Sequence, residues 1–355
     1  MYKIGIIGTS WAAKSPIPTF KTYKGIEITA ICSGNIKNAD SCAKEFNIPY
    51  VEKNYKTLCA RDDLDIIYIG SPVHLHSKMV LEAAQSKKHI LCEKPLALNV
   101  DEGEKMLSAV KKYKVANITA FTMRHFNSHQ LVKKLIANGK IGDPIHVSIN
   151  DFRGIPHSNV IPEYRWWFNK NQGGGILGAM GSHFIDLTRY MLDDFSSVFG
   201  QLKSINKYAA HKNTRKKITS DDLFTINGTL VNNATISINC SVSTNTRLGS
   251  NRQIQIFGTK GSLLIDGDEL SPAGAKVLFS SSSSPIMKEI NIPQIKMSRA
   301  AKNSTVPRFG LMIDKLIEGI KGKELSPNIN DGLVCQKVID AVRLANISGK
   351  IIKIK

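Results

Sequence analysis

The stretch Ile90-Leu91-Cys92-Glu93-Lys94-Pro95-Leu96-Ala97-Leu98 decides the fold. Its apolar first residues end abruptly in a carboxylate, an ammonium group and a proline. We interpret it as a buried strand whose carboxyl end brings charged groups to the edge where open α/β sheets bind ligands. Taken alone, Glu93-Lys94-Pro95 favours a surface salt bridge followed by a turn.

The preceding residues favour the buried strand. Asp65-Ile66-Ile67-Tyr68-Ile69 predicts another strand, Gly70-Ser71-Pro72 predicts a loop at its carboxyl end, and the apolar spacing of residues 80–84 predicts a helix between the two strands. Strand, helix, strand is the parallel unit, so both strands end at the same edge of the sheet. His74 is predicted to be an exposed loop residue.

The chain begins with a candidate phosphate-binding loop. The strand-like run Lys3 to Ile7 leads into Gly8-Thr9-Ser10-Trp11-Ala12, after which a helix pattern continues toward Phe20. A strand that turns through glycine into a helix N-terminus aims backbone N–H groups and a positive dipole at a pyrophosphate. Ser10 replaces the second glycine of the dinucleotide fingerprint, so the motif is weak without its context.

The second predicted strand, Glu27 to Cys32, ends in Cys32-Ser33-Gly34-Asn35. A carboxylate at this position would hold the ribose 2′-hydroxyl of NAD, and there is none. Ser33 and the nearby Lys37 would tolerate a 2′-phosphate, which favours NADP. Ser33 is also suited to capping the end of the strand.

The second half of the chain shows a different pattern. Apolar residues alternate with polar ones at Ile145, Val147 and Ile149, and again in residues 224–227, 236–240 and 253–256. Period-two strands without helices between them predict an antiparallel sheet. The serine run Ser280 to Ser284 predicts a mobile loop.

A chemical constellation stands within this half. Tyr164-Arg165-Trp166-Trp167-Phe168 is followed by Gly173-Gly174-Gly175 and then by Gly181-Ser182-His183-Phe184-Ile185-Asp186. Glycines allow a close approach of backbone to ligand, and His183 and Asp186 share one helix face. The alternative for His183 is a satisfied core histidine, and for Trp166 and Trp167 it is packing in the core.

These motifs together resemble the Gfo/Idh/MocA family of NAD(P)-dependent oxidoreductases over nearly the whole chain. The resemblance rests on Glu93-Lys94-Pro95 at the end of a strand, on His76 four residues after Pro72, and on the Gly-x-His-x-x-Asp pattern that ends at Asp186. It implies an α/β fold with an N-terminal Rossmann doubly wound parallel sheet and a C-terminal α+β domain with a large, mostly antiparallel sheet. We place the boundary near Thr122, which gives a dinucleotide-binding domain at residues 1–122 and a substrate and oligomerisation domain at residues 123–355.

The resemblance also implies roles for individual residues. Lys94 and His183 match the catalytic lysine and histidine, and Arg124 matches an arginine that faces the cleft between the domains, although an ordinary salt bridge is the alternative. Ala179 stands where many members carry an aspartate one helical turn before the histidine. With the observations above, the predicted cofactor contacts are Gly8, Thr9, Ser10, Trp11, Ala12, Ser33, Lys37, Ser71, Pro72, His76, Glu93 and Lys94, and the predicted substrate contacts are Arg124, Arg165, Trp167 and His183.

Composition limits the other function classes. The 355 residues carry a net charge of +19, from 48 Lys and Arg against 29 Asp and Glu, which favours anionic ligands. The basic residues are spread along the chain without a nucleic-acid-binding motif, and the cluster at residues 212–217 is most simply a solvated loop. Six scattered cysteines, no metal-ligand spacing, no long apolar segment and no leader pattern predict free thiols, no metal and no membrane association in a cytoplasmic protein.

The sequence therefore predicts an oxidoreductase that transfers a hydride between NADP or NAD and a secondary alcohol or ketone. The expected substrate is a sugar, a polyol or a sugar derivative, with an acidic or nucleotide group as an option. We expect a homodimer or homotetramer formed through the C-terminal sheet. The alternative is a non-catalytic regulator of the same fold that binds a dinucleotide.

Overall fold

The computed structural model describes residues 1–153, 163–243 and 251–354. Contacts divide the chain into two compact units. The first contains Met1–Thr122 and Lys296–Gln336, and the second contains Met123–Ile295 and Lys337–Lys355. The chain therefore returns to its first unit after completing most of the second.

A parallel sheet forms the centre of the first unit. Its strands are β1 (Tyr2–Ile7), β2 (Ile26–Cys32), β3 (Tyr50–Val51), β4 (Ile66–Ile69), β5 (His89–Cys92) and β6 (Asn117–Thr119). The helices between them are α1 (Pro16–Thr22), α2 (Ile36–Phe46), α3 (Tyr55–Cys59), α4 (His76–Gln85) and α5 (Val100–Tyr113). The spatial order β3-β2-β1-β4-β5-β6 is that of a Rossmann fold, which confirms the predicted parallel sheet.

The second unit is built on a mixed sheet with the order β16-β15-β14-β13-β7-β12-β11-β8-β17. Its strands are β7 (Pro144–Phe152), β8 (Phe195–Lys203), β11 (Leu223–Leu230), β12 (Thr235–Ser241), β13 (Asn251–Gly258), β14 (Gly261–Gly267), β15 (Ala275–Ser281), β16 (Ser284–Ile290) and β17 (Ile352–Lys353), and β9 (Tyr208–His211) with β10 (Thr214–Lys217) form a separate ribbon. The β7–β12 pair is parallel and the other described pairs are antiparallel. The prediction of a mostly antiparallel sheet is confirmed.

Helices complete both units. In the second unit α6 (Asn127–Ala137) and α7 (Ser182–Met191) pack together. They are followed along the chain by α8 (Arg299–Lys302), α9 (Pro307–Ile320) and α10 (Ile329–Ser348). Helix α9 completes the core of the first unit, because Phe309 packs edge-on against Phe20 and Tyr68 with ring centroids 5.7 and 6.3 Å apart.

The entry into α1 differs from the prediction. The helix does not follow the glycine loop directly, because a 3-10 turn at Ala12–Lys14 and an irregular Ser15 (φ −143°, ψ −57°) come first. Pro16 explains the delay, since proline disfavours the α conformation at the residue before it and is well tolerated at the first helical position.

The prediction of a mobile loop at Ser280 to Ser284 is wrong. These serines form the tight turn of a hairpin in which Ser281 pairs with Ser284, and the Ser282 amide donates to the Lys260 carbonyl oxygen at 3.0 Å. The apolar residues of the two strands favour β-structure. The prediction of a loop did not take them into account, because it considered only the serine composition.

Candidate functional site

The loop after β1 lies directly against the loop after β4. Gly8 has φ +96°, and a Cβ atom placed there would come within 2.5 Å of the Gly70 carbonyl oxygen. The Gly8 amide donates to the Cys32 carbonyl oxygen at 2.9 Å, which ties the same loop to the end of β2. Only glycine accommodates both this backbone conformation and this contact.

The other residues of the loop differ sharply in exposure. Ala12 is fully buried, Thr9 is partly exposed, and Ser10 and Trp11 are exposed. The Trp11 indole nitrogen nevertheless donates to Glu93 Oε1 at 3.1 Å. This hydrogen bond joins the predicted dinucleotide loop to the Glu-Lys-Pro turn.

Glu93 is a buried carboxylate with two side-chain donors. Besides Trp11, the hydroxyl of the fully buried Tyr68 donates to Glu93 Oε1 at 3.1 Å. Burial raises the pKa of Glu93, and the positive charge of Lys94 opposes this rise only in part. Lys94 itself is half-buried and follows β5 at its carboxyl end.

His76 joins two loops at the same edge of the sheet. Its Nε2 lies 2.8 Å from the Ser71 carbonyl oxygen, and its Nδ1 lies 3.1 Å from that of Pro95 and 3.2 Å from that of Leu96. Helix α4 begins at His76 and has no side-chain cap at its start, so His76 does not act as a helix cap. Burial lowers the pKa of His76, which favours the neutral ring.

The end of β2 is open to solvent. Ser33 is half-exposed and accepts a weak hydrogen bond from the Asn35 amide at 3.4 Å. Asn35 caps α2 by accepting from the Lys37 amide at 3.0 Å, and the Lys37 side chain is exposed. Ser71 and Pro72, in the loop after β4, are half-exposed as well.

In the second unit His183 and Asp186 lie on α7, and both are buried. The Arg124 guanidinium forms a two-point ion pair with Asp186, with N–O distances of 2.6 and 2.8 Å. Arg124 is only 4% exposed and also lies over the Tyr190 ring. The salt-bridge alternative for Arg124 therefore describes its geometry, and a substrate contact from this residue stays a prediction.

The space beside the glycines that precede α7 is filled by other parts of the protein. A Cβ atom on Gly174 would lie 2.1 Å from the Trp167 carbonyl oxygen, and one on Gly175 would lie 2.3 Å from Asp221. The partly buried Asp221 carboxylate accepts from the Leu177 amide at 2.7 Å. These glycines therefore serve chain packing at the start of the π-helical turn Leu177–Gly181, which carries Ala179.

The aromatic segment before the glycines packs on the β9–β10 ribbon. Phe168, Ala209 and Ile218 form a small apolar cluster against which Tyr164 and Trp167 pack. Trp166 lies edge-on to Trp167 with ring centroids 6.3 Å apart, and both are half-buried. Arg165 is exposed, so its side chain is accessible to a ligand.

Sequence reasoning missed Tyr68 and Asp221. Tyr68 interrupts the all-aliphatic strand β4, and a buried tyrosine usually needs a hydrogen-bond partner, which was the available signal. Asp221 stands in Ser220-Asp221-Asp222, which reads as an ordinary polar turn. No local pattern connects it with Gly175, which lies 46 residues earlier in the chain.

Comparison with protein families identifies the chain. Residues 2–121 match the model of an oxidoreductase family with an NAD-binding Rossmann fold, and residues 129–264 match the GFO/IDH/MocA C-terminal domain. The chain belongs to the Gfo/Idh/MocA family. It is therefore an oxidoreductase with an NAD-binding Rossmann domain, and Gly8 lies in the loop that follows the first strand of that domain.

Individual Gfo/Idh/MocA proteins are similar over different lengths. The oxidoreductase YrbE of Bacillus subtilis is 30% identical over 267 residues, which covers 74% of this chain and 73% of that protein. Levoglucosan dehydrogenase of Pseudarthrobacter phenanthrenivorans is 29% identical over 212 residues, which covers 55% of this chain and 52% of that enzyme.

Solved Gfo/Idh/MocA structures share the fold over the whole length. A levoglucosan dehydrogenase in complex with NADH and levoglucosan superposes with a TM-score of 0.86 at 21% identity, covering 99% of both chains. An oxidoreductase domain protein from Kribbella flavida gives a TM-score of 0.86 at 25% identity, covering 100% of both chains.

The described residues contain neither a candidate membrane span nor a candidate metal site. None of their helices combines the length and apolar character needed to cross a bilayer. No group of three or more His, Cys, Asp and Glu side chains in this part of the chain is placed to hold a metal ion.

Proposed function

We propose that the protein is a sugar or polyol dehydrogenase that uses a nicotinamide cofactor to interconvert a secondary alcohol and a ketone. The observation that carries the proposal is the Glu93-Lys94-Pro95 turn at the carboxyl end of β5 in a Rossmann sheet. Lys94 is half-buried there, next to loops that also hold Gly8 and Ser71. Relatives named as dehydrogenases of levoglucosan and of glucose 6-phosphate support the substrate class.

In this proposal Lys94 and His183 act on the substrate oxygen. A nicotinamide cofactor, when bound, would supply the hydride-transfer chemistry. Lys94, as ammonium, donates a hydrogen bond to the substrate oxygen and stabilises the alkoxide character that develops on it. Neutral His183 takes the hydroxyl proton, and the two residues exchange roles if Lys94 is the neutral partner. The Arg124–Asp186 ion pair supports His183 indirectly by fixing the helix on which it lies.

The activity experiment measures oxidation of NADPH or NADH with a panel of keto-sugars. Lys94→Ala and His183→Ala should each lower kcat by about 10²–10⁴-fold while the dinucleotide still binds. Lys105→Ala, which removes an exposed lysine from α5, is the matched control and should leave kcat unchanged. Unchanged turnover in both active-site variants would remove the assignment.

A regulator without turnover is the second candidate, and Ala179 is the observation that favours it. Many relatives have an aspartate at this position, so a carboxylate that would orient or relay a proton to His183 is missing here. Tight dinucleotide binding without oxidation of the cofactor across a broad substrate panel would favour the regulator. Turnover that is restored or raised by Ala179→Asp would favour the enzyme.

We further propose a preference for NADP over NAD. Support comes from the absence of a carboxylate in Cys32-Ser33-Gly34-Asn35 and from the exposed ammonium group of Lys37 nearby. Ser33→Asp should weaken NADPH binding much more than NADH binding, since it sets a charge against the 2′-phosphate. A wild-type protein that binds NADH more tightly than NADPH would contradict the preference.

Exposed residues support more specific proposals for the substrate and for the oligomeric state. Arg165 is accessible to an acidic or phosphate group on the sugar, so Arg165→Ala should raise KM for anionic sugars more than for neutral ones.

The open face of the C-terminal sheet carries the half-exposed His146, Ser148 and Asn150, and we propose that it pairs subunits as a homodimer or homotetramer. Ser148→Arg should then give a monomer by light scattering.

The cellular setting is proposed from the cysteines. All six cysteines are buried and lie outside disulfide bonds, which suits a protein of the reducing cytoplasm.

A further inference from the structure

A line of hydrogen-bonded side chains crosses the first sheet at its carboxyl edge. Trp11 follows β1, Tyr68 belongs to β4 and Glu93 follows β5, and these strands are neighbours in the order β1-β4-β5. The Trp11 indole N–H and the Tyr68 hydroxyl both donate to the same oxygen, Glu93 Oε1, at 3.1 Å. One carboxylate oxygen thereby joins the first loop of the sheet to the residue beside Lys94.

The burial of the three side chains is unequal. Tyr68 is 0% and Glu93 is 8% exposed, whereas Trp11 is 52% exposed. An exposed indole ring gives up much of the free energy that burial of so large an apolar surface provides, so Trp11 is not placed for packing. Its nitrogen is anchored to a buried carboxylate while much of its ring surface stays open. This combination suits a ring whose orientation is fixed for contact with a ligand.

The strand order indicates which part of the ligand this ring meets. Ser33 and Lys37 follow β2, on one side of β1, and are placed for the adenosine half of a dinucleotide. Lys94 follows β5, on the other side, where hydride transfer takes place in the proposed function. Trp11 is tied to the residue next to Lys94, which places its ring with the nicotinamide half.

We propose that Trp11 contacts the nicotinamide half of the cofactor, and that Glu93 is a positioning residue which acts through the Trp11 indole N–H. Glu93 then serves cofactor binding without touching the cofactor itself. The inference rests on the proposed function only for the identity of the ligand, a nicotinamide dinucleotide. It assigns the ring to one half of that ligand, which gives it a test based on binding alone.

The first measurement compares a whole cofactor with its adenosine half in equilibrium titrations of the full-length protein. NADPH is paired with adenosine 2′,5′-bisphosphate, and if NADH binds more tightly it is paired with AMP. Trp11→Phe keeps an aromatic ring but removes the N–H donor, and should raise the dinucleotide Kd about tenfold, as expected for one lost hydrogen bond. The Kd of the adenosine half should stay within about twofold.

Lys37→Ala provides the reciprocal control. If NADPH is the tighter ligand, this variant should weaken the whole cofactor and the bisphosphate by a similar factor, because both carry the 2′-phosphate. Trp11→Phe and Lys37→Ala then give different patterns on the same pair of ligands. Thermal unfolding shows whether each variant is folded, and in folded Trp11→Phe protein equal losses of affinity for the two ligands would overturn the inference.

The second measurement tests whether Glu93 acts through Trp11. Glu93→Gln keeps a side-chain oxygen that accepts the indole N–H, and should leave the dinucleotide Kd within about threefold. Glu93→Ala should raise it as much as Trp11→Phe does, and the double variant should be no weaker than either single one. If Glu93→Ala does not fold, Glu93→Met takes its place because it keeps the side-chain volume.

Additive losses in the double variant would show that Trp11 and Glu93 act independently, and would overturn the role assigned to Glu93. A dinucleotide Kd that is unchanged in Trp11→Phe and in Trp11→Ala would overturn the contact with the ring. Since every readout is a dissociation constant, a protein that binds the dinucleotide but oxidises no substrate would remove the proposed dehydrogenase and leave this inference standing.

Discussion

At the scale of single residues, the buried carboxyl group of Glu93 makes stability depend on pH. Burial raises its pKa above the value it has in an unfolded chain, so the folded protein holds this proton more tightly. The contribution to stability is complete below the unfolded pKa and is lost as pH rises through the raised one. Wild-type protein should therefore lose unfolding free energy relative to Glu93→Gln as pH increases above about 4.5.

Urea unfolding of both proteins, from about pH 4 to about pH 8, measures this difference. The amide of the glutamine variant does not titrate, so the changing gap between the two curves reports Glu93. A gap that is constant, or that changes in the opposite direction, would show that burial does not control this group.

The Arg124–Asp186 pair offers a second prediction at this scale. Both side chains are buried, at 4% and 1% exposure, and removing one partner leaves a charge without compensation. Asp186→Asn should lower the unfolding free energy by about 3 kcal/mol. The matched variant Asp194→Asn, in the Arg189–Asp194 pair whose carboxylate is 53% exposed, should cost about 1 kcal/mol or less.

Denaturant unfolding of the two variants checks these values. Because a buried ion pair is often replaceable by apolar residues, Arg124→Met combined with Asp186→Leu should be more stable than the sum of its single effects implies. Equal costs for Asp186→Asn and Asp194→Asn would contradict the importance of burial.

Residue environments were only partly predictable. Arg252 looks like a surface residue by its chemistry, yet it is 1% exposed and pairs with the buried Asp151 at 3.1 Å. The sequence did contain a signal for this burial. Side chains two residues apart lie on the same face of a strand, so Arg252 shares a face with Ile254 and Ile256. The partner of Trp11 was not predictable, since 82 residues separate it from Glu93.

At the scale of secondary-structure elements, Gly8 links the loops after β1 and β4. Gly8→Ala combines an unfavourable φ of +96° with a Cβ atom 2.5 Å from the Gly70 carbonyl oxygen. We expect it to lower stability by about 3 kcal/mol and to weaken dinucleotide binding. Gly322→Ala is the matched control, because Gly322 has φ +91° and open space around its Cα.

Thermal unfolding and cofactor titration of the two alanine variants separate strain from contact. Gly322→Ala should show only the cost of the backbone conformation, about 1 kcal/mol, with unchanged cofactor affinity. If the two variants behave alike, the contact between the loops contributes nothing beyond the conformational strain.

Elements with local signals were predicted well. Acids near its start and lysines near its end predict a helix over residues 100–113, and α5 runs over Val100–Tyr113 with Asn99 as its cap. The sequence also predicts a helix over residues 130–138 that ends at Gly139, whereas α6 begins at Asn127. Its first amides are capped by Glu269, for instance from Asn127 N at 3.0 Å, and a cap from so distant a residue leaves no trace in the local sequence.

At the scale of the whole molecule, the first unit needs a late part of the chain. Phe309, Met312, Ile313 and Leu316 of α9 belong to the same apolar core as Phe20 and Tyr68. Residues 1–122 therefore lack part of their core when expressed alone. We expect this fragment to unfold at a lower temperature than the same residues fused by a flexible linker to residues 296–336.

Circular dichroism and cofactor binding of the two proteins test this expectation. A fragment 1–122 that is as stable as the fusion would support the sequence-based boundary at Thr122 as that of an independent folding domain. The sequence did not indicate where α9 packs. An amphipathic pattern predicts that a helix has an apolar face, but it does not predict which element that face packs against.

Because the chain returns to its first unit late, the core of that unit can be completed only late in biosynthesis. The 173 residues from 123 to 295 must be translated before α9 emerges from the ribosome, and this takes roughly ten to thirty seconds at ordinary elongation rates. Throughout this interval the apolar side of the nascent Rossmann sheet that will receive Phe309 faces water. The partly synthesised protein is thus a natural client for chaperones that bind exposed apolar surfaces on nascent chains.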